Sequence, residues 1–148
     1  MKPPSDEPVT QIAVVVRDID AACQRYAEVF GIDKPGWFLT EPAAVSRVQY
    51  RGQSTPGRAK LAFIRFANLT VELIEPVDGP SIWRDHLERH GESVHHLAFQ
   101  VKGMPQAVAH FAARGLPLVQ QGEYTGGRYA YLDAAGILGM DLELLEND

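Results

Sequence analysis

The feature that most restricts how this chain can fold is an internal duplication. Displaced by 85 residues, QIAVVVRDIDAACQRYAE (Gln11 to Glu28) lies without gaps over HLAFQVKGMPQAVAHFAA (His96 to Ala113). Gln11 falls on His96, Ala13 on Ala98, Val16 on Val101, Ala22 on Ala107 and Tyr26 on Phe111. Each copy reads as a strand followed by a helix. A second pair, displaced by 71, matches LTVELIEP (Leu69 to Pro76) with MDLELLEN (Met140 to Asn147), so Glu72 falls on Glu143. The order of elements is shared, and the first copy carries the longer middle segment. The expected organisation is a single domain over residues 1–148, made of modules at about 9–78 and 93–147.

Within the first module, a strand near Thr10 to Arg17 leads to a helix near Ile19 to Phe30, with Gly31 as its C-terminal stop. Short strands follow near Trp37 to Thr40 and Val45 to Arg51, then longer ones at Lys60 to Ala67 and Leu69 to Glu75. The second module repeats the scheme with a strand at Val94 to Val101, a helix at Pro105 to Arg114, and strands near Pro117 to Gln121, Arg128 to Leu132 and Met140 to Glu146. SIWRDHLERHG, between the modules, reads as a short helix ending at Gly91. The predicted class is α+β, with two paired βαβββ modules curling a mixed sheet into a cup.

Composition narrows the function. A net charge of -5 lacks the basic face that phosphate neutralisation requires, so no nucleic-acid partner is expected. The apolar runs are shorter than a membrane span and MKPPSDEPVT lacks a signal-like core, which predicts a cytoplasmic protein without membrane association. A single cysteine, Cys23, excludes an internal disulfide or thiolate cluster and reads as a buried structural thiol. A small-molecule substrate is the remaining expectation.

Strand alternation indicates where the polar residues point. Ile12, Val14 and Val16 share the face under the first helix, leaving Gln11, Ala13 and Val15 on the other. In the matching strand, His95, Leu97, Phe99 and Val101 go under the second helix, and His96, Ala98 and Gln100 face the opposite way. Paired around a pseudo-twofold axis, the modules bring Gln11, Glu72, His96 and Glu143 into the cup, with Ala13 and Ala98 leaving room beside them. Two carboxylates balance a divalent cation, while an imidazole and an amide oxygen are neutral donors. The competing reading turns both glutamates to solvent through a one-residue shift in register.

The strand TQIAVVVRD, VELIEP, the stretch GPSIWRDHLERHGESVHHLAFQV and the ending DLELLE resemble the vicinal oxygen chelate superfamily of glyoxalase I, methylmalonyl-CoA epimerase, extradiol dioxygenases and bleomycin- or fosfomycin-resistance proteins. The likeness runs from Val9 onward and is strongest to the methylmalonyl-CoA epimerase and glyoxalase-like branch. It implies one divalent metal (Zn, Ni, Co, Mn or Mg) at Gln11, Glu72, His96 and Glu143, and a homodimer. The apolar faces of Val45 to Tyr50 are a second reason to expect that dimer. It also implies a metal-dependent isomerase or lyase acting on a carbonyl or thioester through an enolate, with Glu143 as catalytic base; for either glutamate, pure ligation is the other reading. A ligand-sequestering protein is the alternative class, though sequestering members commonly lack the four-ligand set. Gln11 replaces the histidine usual in epimerases, and AAVSRVQYRGQSTPGRAKLAF has no acidic residue where they carry a second glutamate. A single-base mechanism and poor activity on methylmalonyl-CoA are therefore expected.

Other residues keep two readings each. Arg47 and Arg51, in a basic run with Arg58, Lys60 and Arg65, either hold an anionic substrate tail or protect edge strands. Trp37, Phe38 and Tyr129 either line a pocket or belong to the core. YTGGRYAYLDAAGILG is either a flap or a set of hairpins.

Overall fold

The computed structural model describes residues 6–148. In chain order the elements are β1 (Val9–Val15), α1 (Ile19–Phe30), β2 (Trp37–Leu39), α2 (Ala43–Ser46), β3 (Gln49–Tyr50), β4 (Gln53–Ser54), β5 (Arg58–Arg65) and β6 (Thr70–Val77). After α3 (Ile82–His90) come β7 (Ser93–Gln100), α4 (Met104–Ala112), β8 (Leu118–Tyr124), β9 (Gly127–Leu132), α5 (Ala135–Leu138) and β10 (Asp141–Asn147). The strands form one curled mixed sheet in the order β2-β5-β6-β1-β7-β10-β9-β8-β3-β4. The fold is α+β and built of two βαβββ modules: β1, α1, β2, β5, β6 and β7, α4, β8, β9, β10.

α1 and α3 form where the sequence supplies both caps and an apolar stripe. Asp18 accepts a hydrogen bond from the Ala21 amide, Ile19, Ala22, Cys23 and Ala27 make the buried face of α1, and Gly31 ends it at φ 63. Ser81 caps α3 through the Arg84 amide. α1 covers Val16, Ala62, Ile64 and Leu73 on the outer side of the sheet, and α4 packs near Phe99, Leu132 and Leu144 in the same layer. Fully burying a side chain such as Ile19 or Leu73 contributes about 1.5–3 kcal/mol. On the inner side, Ala13, Val15, Ile74 and Tyr131 pack with Ile82 and Trp83 of α3. Among the described residues no helix is long and apolar enough to cross a membrane.

The modules meet at the antiparallel pair β1–β7, which carries two β-bulges. Val9 and Gln11 oppose the adjacent residues Phe99 and Ala98, which leaves Thr10 as the extra residue; Ala13 and Val14 oppose His96 and Val94, which leaves His95. Thr10 and His95 correspond under the 85-residue displacement, so the bulges obey the same pseudo-twofold relation as the strands.

The middle of the first module departs from expectation. Val45 to Arg51 is not one strand: α2 ends at Arg47 with φ 51, and the chain then forms the β3–β4 hairpin. Arg51 and Gly52 take φ 53 and 78, as the two central residues of a type I′ turn require. This hairpin leaves its own module and adds to β8 of the other, with Gln49 opposite Gln121 and Tyr50 opposite Gln120. Tyr50 donates to Asp85 of α3 and Thr55 donates to the Pro80 carbonyl, so the segment from Thr40 to Gly57, a strap that includes the hairpin, is tied down on both sides of the hairpin turn. Val48 is buried by the chain itself, whereas Val45 stays exposed.

Candidate metal centre

β6, β7 and β10 each bring one donor to the floor of the cup. Ala13 of β1 lies opposite both Glu72 and His96, and Ala98 of β7 lies opposite both Gln11 and Glu143. The small alanines keep the centre open. Glu72, His96 and Glu143 are buried, and each offers a ligand atom within 4.8 Å of the others. Gln11 shares a cavity of about 500 Å³ with both glutamates, and its Oε1 is buried without a hydrogen-bond partner.

The donors fit a divalent ion. His96 Nε2 and Glu143 Oε2 lie 2.9 Å apart, yet neither has a hydrogen bond of acceptable direction. Adjacent ligands on an octahedral ion with bonds of about 2.0–2.2 Å are separated by about 2.8–3.1 Å. Without a cation, burial drives Glu72 well above the usual carboxylate range and the neighbouring Glu143 adds to the rise. Burial also pushes Glu143 up, to about 8, although a hydrogen bond from Tyr131 pulls the other way. Burial depresses His96 to about 3, which leaves a neutral imidazole able to donate a lone pair.

The bulge at His95 places a second imidazole behind the first. His95 and His96 Nδ1 atoms are 2.8 Å apart, so one carries the proton and the other accepts it. A His96 that presents Nε2 as ligand must hold its proton on Nδ1 and donate to His95. His95 Nε2 then bears a proton facing Asp141 Oδ2, a longer contact of 3.5 Å at the outer limit of a hydrogen bond. Burial depresses His95 to about 4 despite that carboxylate. Burial also raises Asp141, but His95 and the Ala134 and Ala135 amides more than offset this and hold it below its ordinary value. A neighbour that accepts from the Nδ1–H form orients a ligand histidine, and His95 is in place for that role. His95 thus packs against His96, Tyr131 and His86 of α3, and simple alternation, which sent it under α4, is corrected by the bulge.

The family model for the Glyoxalase/Bleomycin resistance protein/Dioxygenase superfamily matches residues 10–131. The chain belongs to that superfamily. Among solved structures, this superfamily member is similar to the hypothetical protein BH1468 of Bacillus halodurans C-125 at 18% identity, covering 96% of this chain and 95% of the other with a TM-score of 0.66. It is similar to methylmalonyl-CoA epimerase of Mycobacterium tuberculosis at 17% identity, covering 95% and 88%, TM-score 0.62. A Streptomyces coelicolor methylmalonyl-CoA epimerase variant in complex with 2-nitronate-propionyl-CoA matches at 18% identity, 95% and 97% coverage and TM-score 0.63. These likenesses establish a glyoxalase- and epimerase-like fold. No curated protein matches the sequence.

The remaining expected site residues of this superfamily member separate. Tyr129 lines the cavity; Trp37, Arg47 and Arg51 do not. Trp37 alternates with Phe38, which takes the cavity side, and its ring carries Lys60 at 4.7 Å. Arg47 reaches Glu123 at 3.8 Å, and Arg51 reaches Asp85 at 3.7 Å while stacking on Tyr50. The basic run is dispersed because its members sit on α2, the hairpin turn and both faces of β5. Tyr131, Trp83 and Glu41 are among the cavity residues not singled out from the sequence. Tyr131 shares a face with Tyr129 two residues earlier, so strand periodicity could have found it; Trp83 reaches in from α3, which only tertiary packing shows. Glu41 lies just upstream of the stretch without acids and also lines the cavity, so the first module does supply an acidic group.

Proposed function

We propose that this protein is a metal-dependent isomerase or lyase that removes the proton α to a carbonyl or thioester, with Glu143 as general base. The observation that carries the reading is the convergence of Glu72, His96 and Glu143 within 4.8 Å, with both glutamates and Gln11, whose buried Oε1 has no hydrogen-bond partner, lining one cavity. Gln11, Glu72, His96 and Glu143 are the residues that would hold the ion. A bound divalent ion supplies Lewis-acid polarisation of the substrate carbonyl, which acidifies its α-proton.

The chain supplies the rest. Burial raises Glu143 to about 8 when no cation is beside it, and a divalent ion there would favour the carboxylate form that can accept a carbon-bound proton. Tyr131 donates to this carboxylate while its own oxygen accepts from Trp83 Nε1 at 3.1 Å, so the phenol is held on both sides. The strap from Thr40 to Gly57 helps wall the cavity and limits water around the reacting carbon. Proton return to the same face, or loss of a β-substituent, needs Glu143 alone; inversion needs a second group, for which Glu41 is the acidic residue of the first module on the cavity wall.

The test is metal analysis of purified protein, followed by α-proton exchange in deuterated water across 2-oxo compounds, hemithioacetals and acyl thioesters. About one divalent ion per chain and exchange on at least one class are expected. Stoichiometric metal retained in both Glu72→Ala and His96→Ala would sink the ligand assignment. Metal binding without exchange on any class would favour sequestration. Efficient racemisation of methylmalonyl-CoA, lost in Glu41→Gln, would replace the single-base scheme.

A further inference from the structure

Resting on the reading of this cavity as a substrate site, we propose that it accepts an uncharged aromatic group beside the reacting carbonyl and rejects a carboxylate there. Two walls of rings define the space. Tyr129 and Tyr131 of β9 lie 5.3 Å apart and pack on Trp83 at 6.3 and 5.9 Å; Gln120 donates to the Tyr129 hydroxyl at 3.3 Å. These rings are fixed by one another before any ligand arrives, which lowers the ordering cost of stacking a planar group against them. Gly122 is part of this arrangement: a Cβ there would meet the Tyr129 ring at 2.7–2.8 Å. The first module contributes Phe63 and Phe38, with centroids 5.8 Å apart.

Charge points the same way. Among the described residues no lysine or arginine lines the cavity, and its charged side chains are Glu41, Glu72, Glu123 and Glu143. A divalent ion balances Glu72 and Glu143 but leaves no cation over for a second carboxylate. The nearby basic residues are engaged elsewhere: Arg58 donates twice to the Thr40 carbonyl, at 2.9 and 2.6 Å, and Lys60 pairs with Glu75 at 3.1 Å. Arg65 stacks on the Phe63 ring at 5.9 Å, and Arg47 faces Glu123. A carboxylate carried into the cavity would lose water and meet only like charge.

The experiment measures the affinity of zinc-loaded protein for the matched pair 4-methylbenzohydroxamate and 4-carboxybenzohydroxamate, and for acetohydroxamate. The methyl compound is expected to bind at least about tenfold tighter than either of the others, as an apolar pocket discriminates. Phe38→Arg, at the exposed mouth, should narrow the methyl-to-carboxyl ratio. Equal or tighter binding of the carboxylated ligand, or of acetohydroxamate, overturns the proposal. If the protein takes up no zinc, the metal reading fails by itself. The same comparison then uses 4′-methylacetophenone against 4-acetylbenzoate on metal-free protein, read from the Trp83 indole N–H resonance. Neutral preference there sustains the proposal and its absence overturns it.

Discussion

In the first module Glu72 has Phe63 as its cross-strand neighbour; in the second, Glu143 has Tyr131 at the equivalent place. The bulge residue before Gln11 is Thr10, whose hydroxyl donates to the Ala98 carbonyl at 3.1 Å. Before His96 it is His95, which engages His96 itself and is backed by Asp141, the counterpart of Thr70. The duplicated scaffold brings Glu72, His96 and Glu143 together and sets Gln11 on the cavity that both glutamates line. The neighbours differ, and they decide what each donor can do. Gln11 is left with an unpartnered oxygen, while His96 has a second imidazole against its Nδ1. Both glutamates are driven up by burial, but only Glu143 has a phenol drawing it back toward the ordinary carboxylate range.

The sharpest way to break this comparison is to neutralise each glutamate in turn. Glu143→Gln is expected to lower α-proton exchange by about two to four decades while keeping part of the metal, since one general base is lost. Glu72→Gln should act first on metal retention, with exchange recovering at saturating metal. Exchange and metal content measured side by side would show equal profiles if the phenol makes no difference, and the assignment of the base to Glu143 would then fall.

A smaller effect is expected behind His96. His95→Thr copies the first module's residue into the second and should weaken metal binding about 10- to 100-fold, the usual cost of removing a partner that orients a ligand imidazole. Thr10→Ala should change it less than about twofold, because Thr10 bonds only to backbone and not to Gln11. Chelator competition reports both. In metal-free His95→Thr, nitrogen NMR should show His96 losing its preference for the Nδ1–H tautomer, a signature that general destabilisation would not produce.

The parts of this site that could be read from the sequence are those governed by period and displacement. Ala13 faces Glu72 as Ala98 faces Glu143, so long apolar runs with small residues at fixed offsets carried the register of β1, β6, β7 and β10. Period-2 reasoning failed at His95 because a bulge inserts one residue, and nothing in VHHLAF announces it. The strap was hidden for a different reason. Its turn uses Arg51–Gly52 rather than Asn–Gly, and its partner, β8, lies in the other module. The arginines looked like one cluster because they are close in sequence, whereas short irregular elements send Arg47 and Arg51 to different acidic partners.

The finest test of the comparison is Tyr131→Phe, which gives Glu143 the kind of neighbour that Glu72 already has. In metal-free protein Glu143 sits at about 8 and Glu72 is also raised, so both hold protons that the unfolded chain releases near 4.5. Their stabilising contribution is complete below about 4.5 and fades as pH rises through the folded values. His96 and His95, depressed to about 3 and 4 from 6.5, act oppositely: their contribution is complete above 6.5 and is lost as pH falls. The metal-free protein should therefore be most stable between these limits and lose stability toward both acid and alkali, and added divalent ion should rescue the alkaline side. Removing the Tyr131 hydroxyl takes away a bond that favours ionised Glu143, so its pKa rises further. The alkaline fall and the pH midpoint of metal uptake should both move up by about one unit, equivalent to roughly 1.4 kcal/mol. The Trp83 indole N–H also loses its acceptor, which lowers Tm at every pH by an amount that does not depend on titration. A uniform drop in Tm with an unmoved metal-uptake midpoint would mean that Tyr131 only packs, and that the two glutamates are distinguished by something other than the phenol.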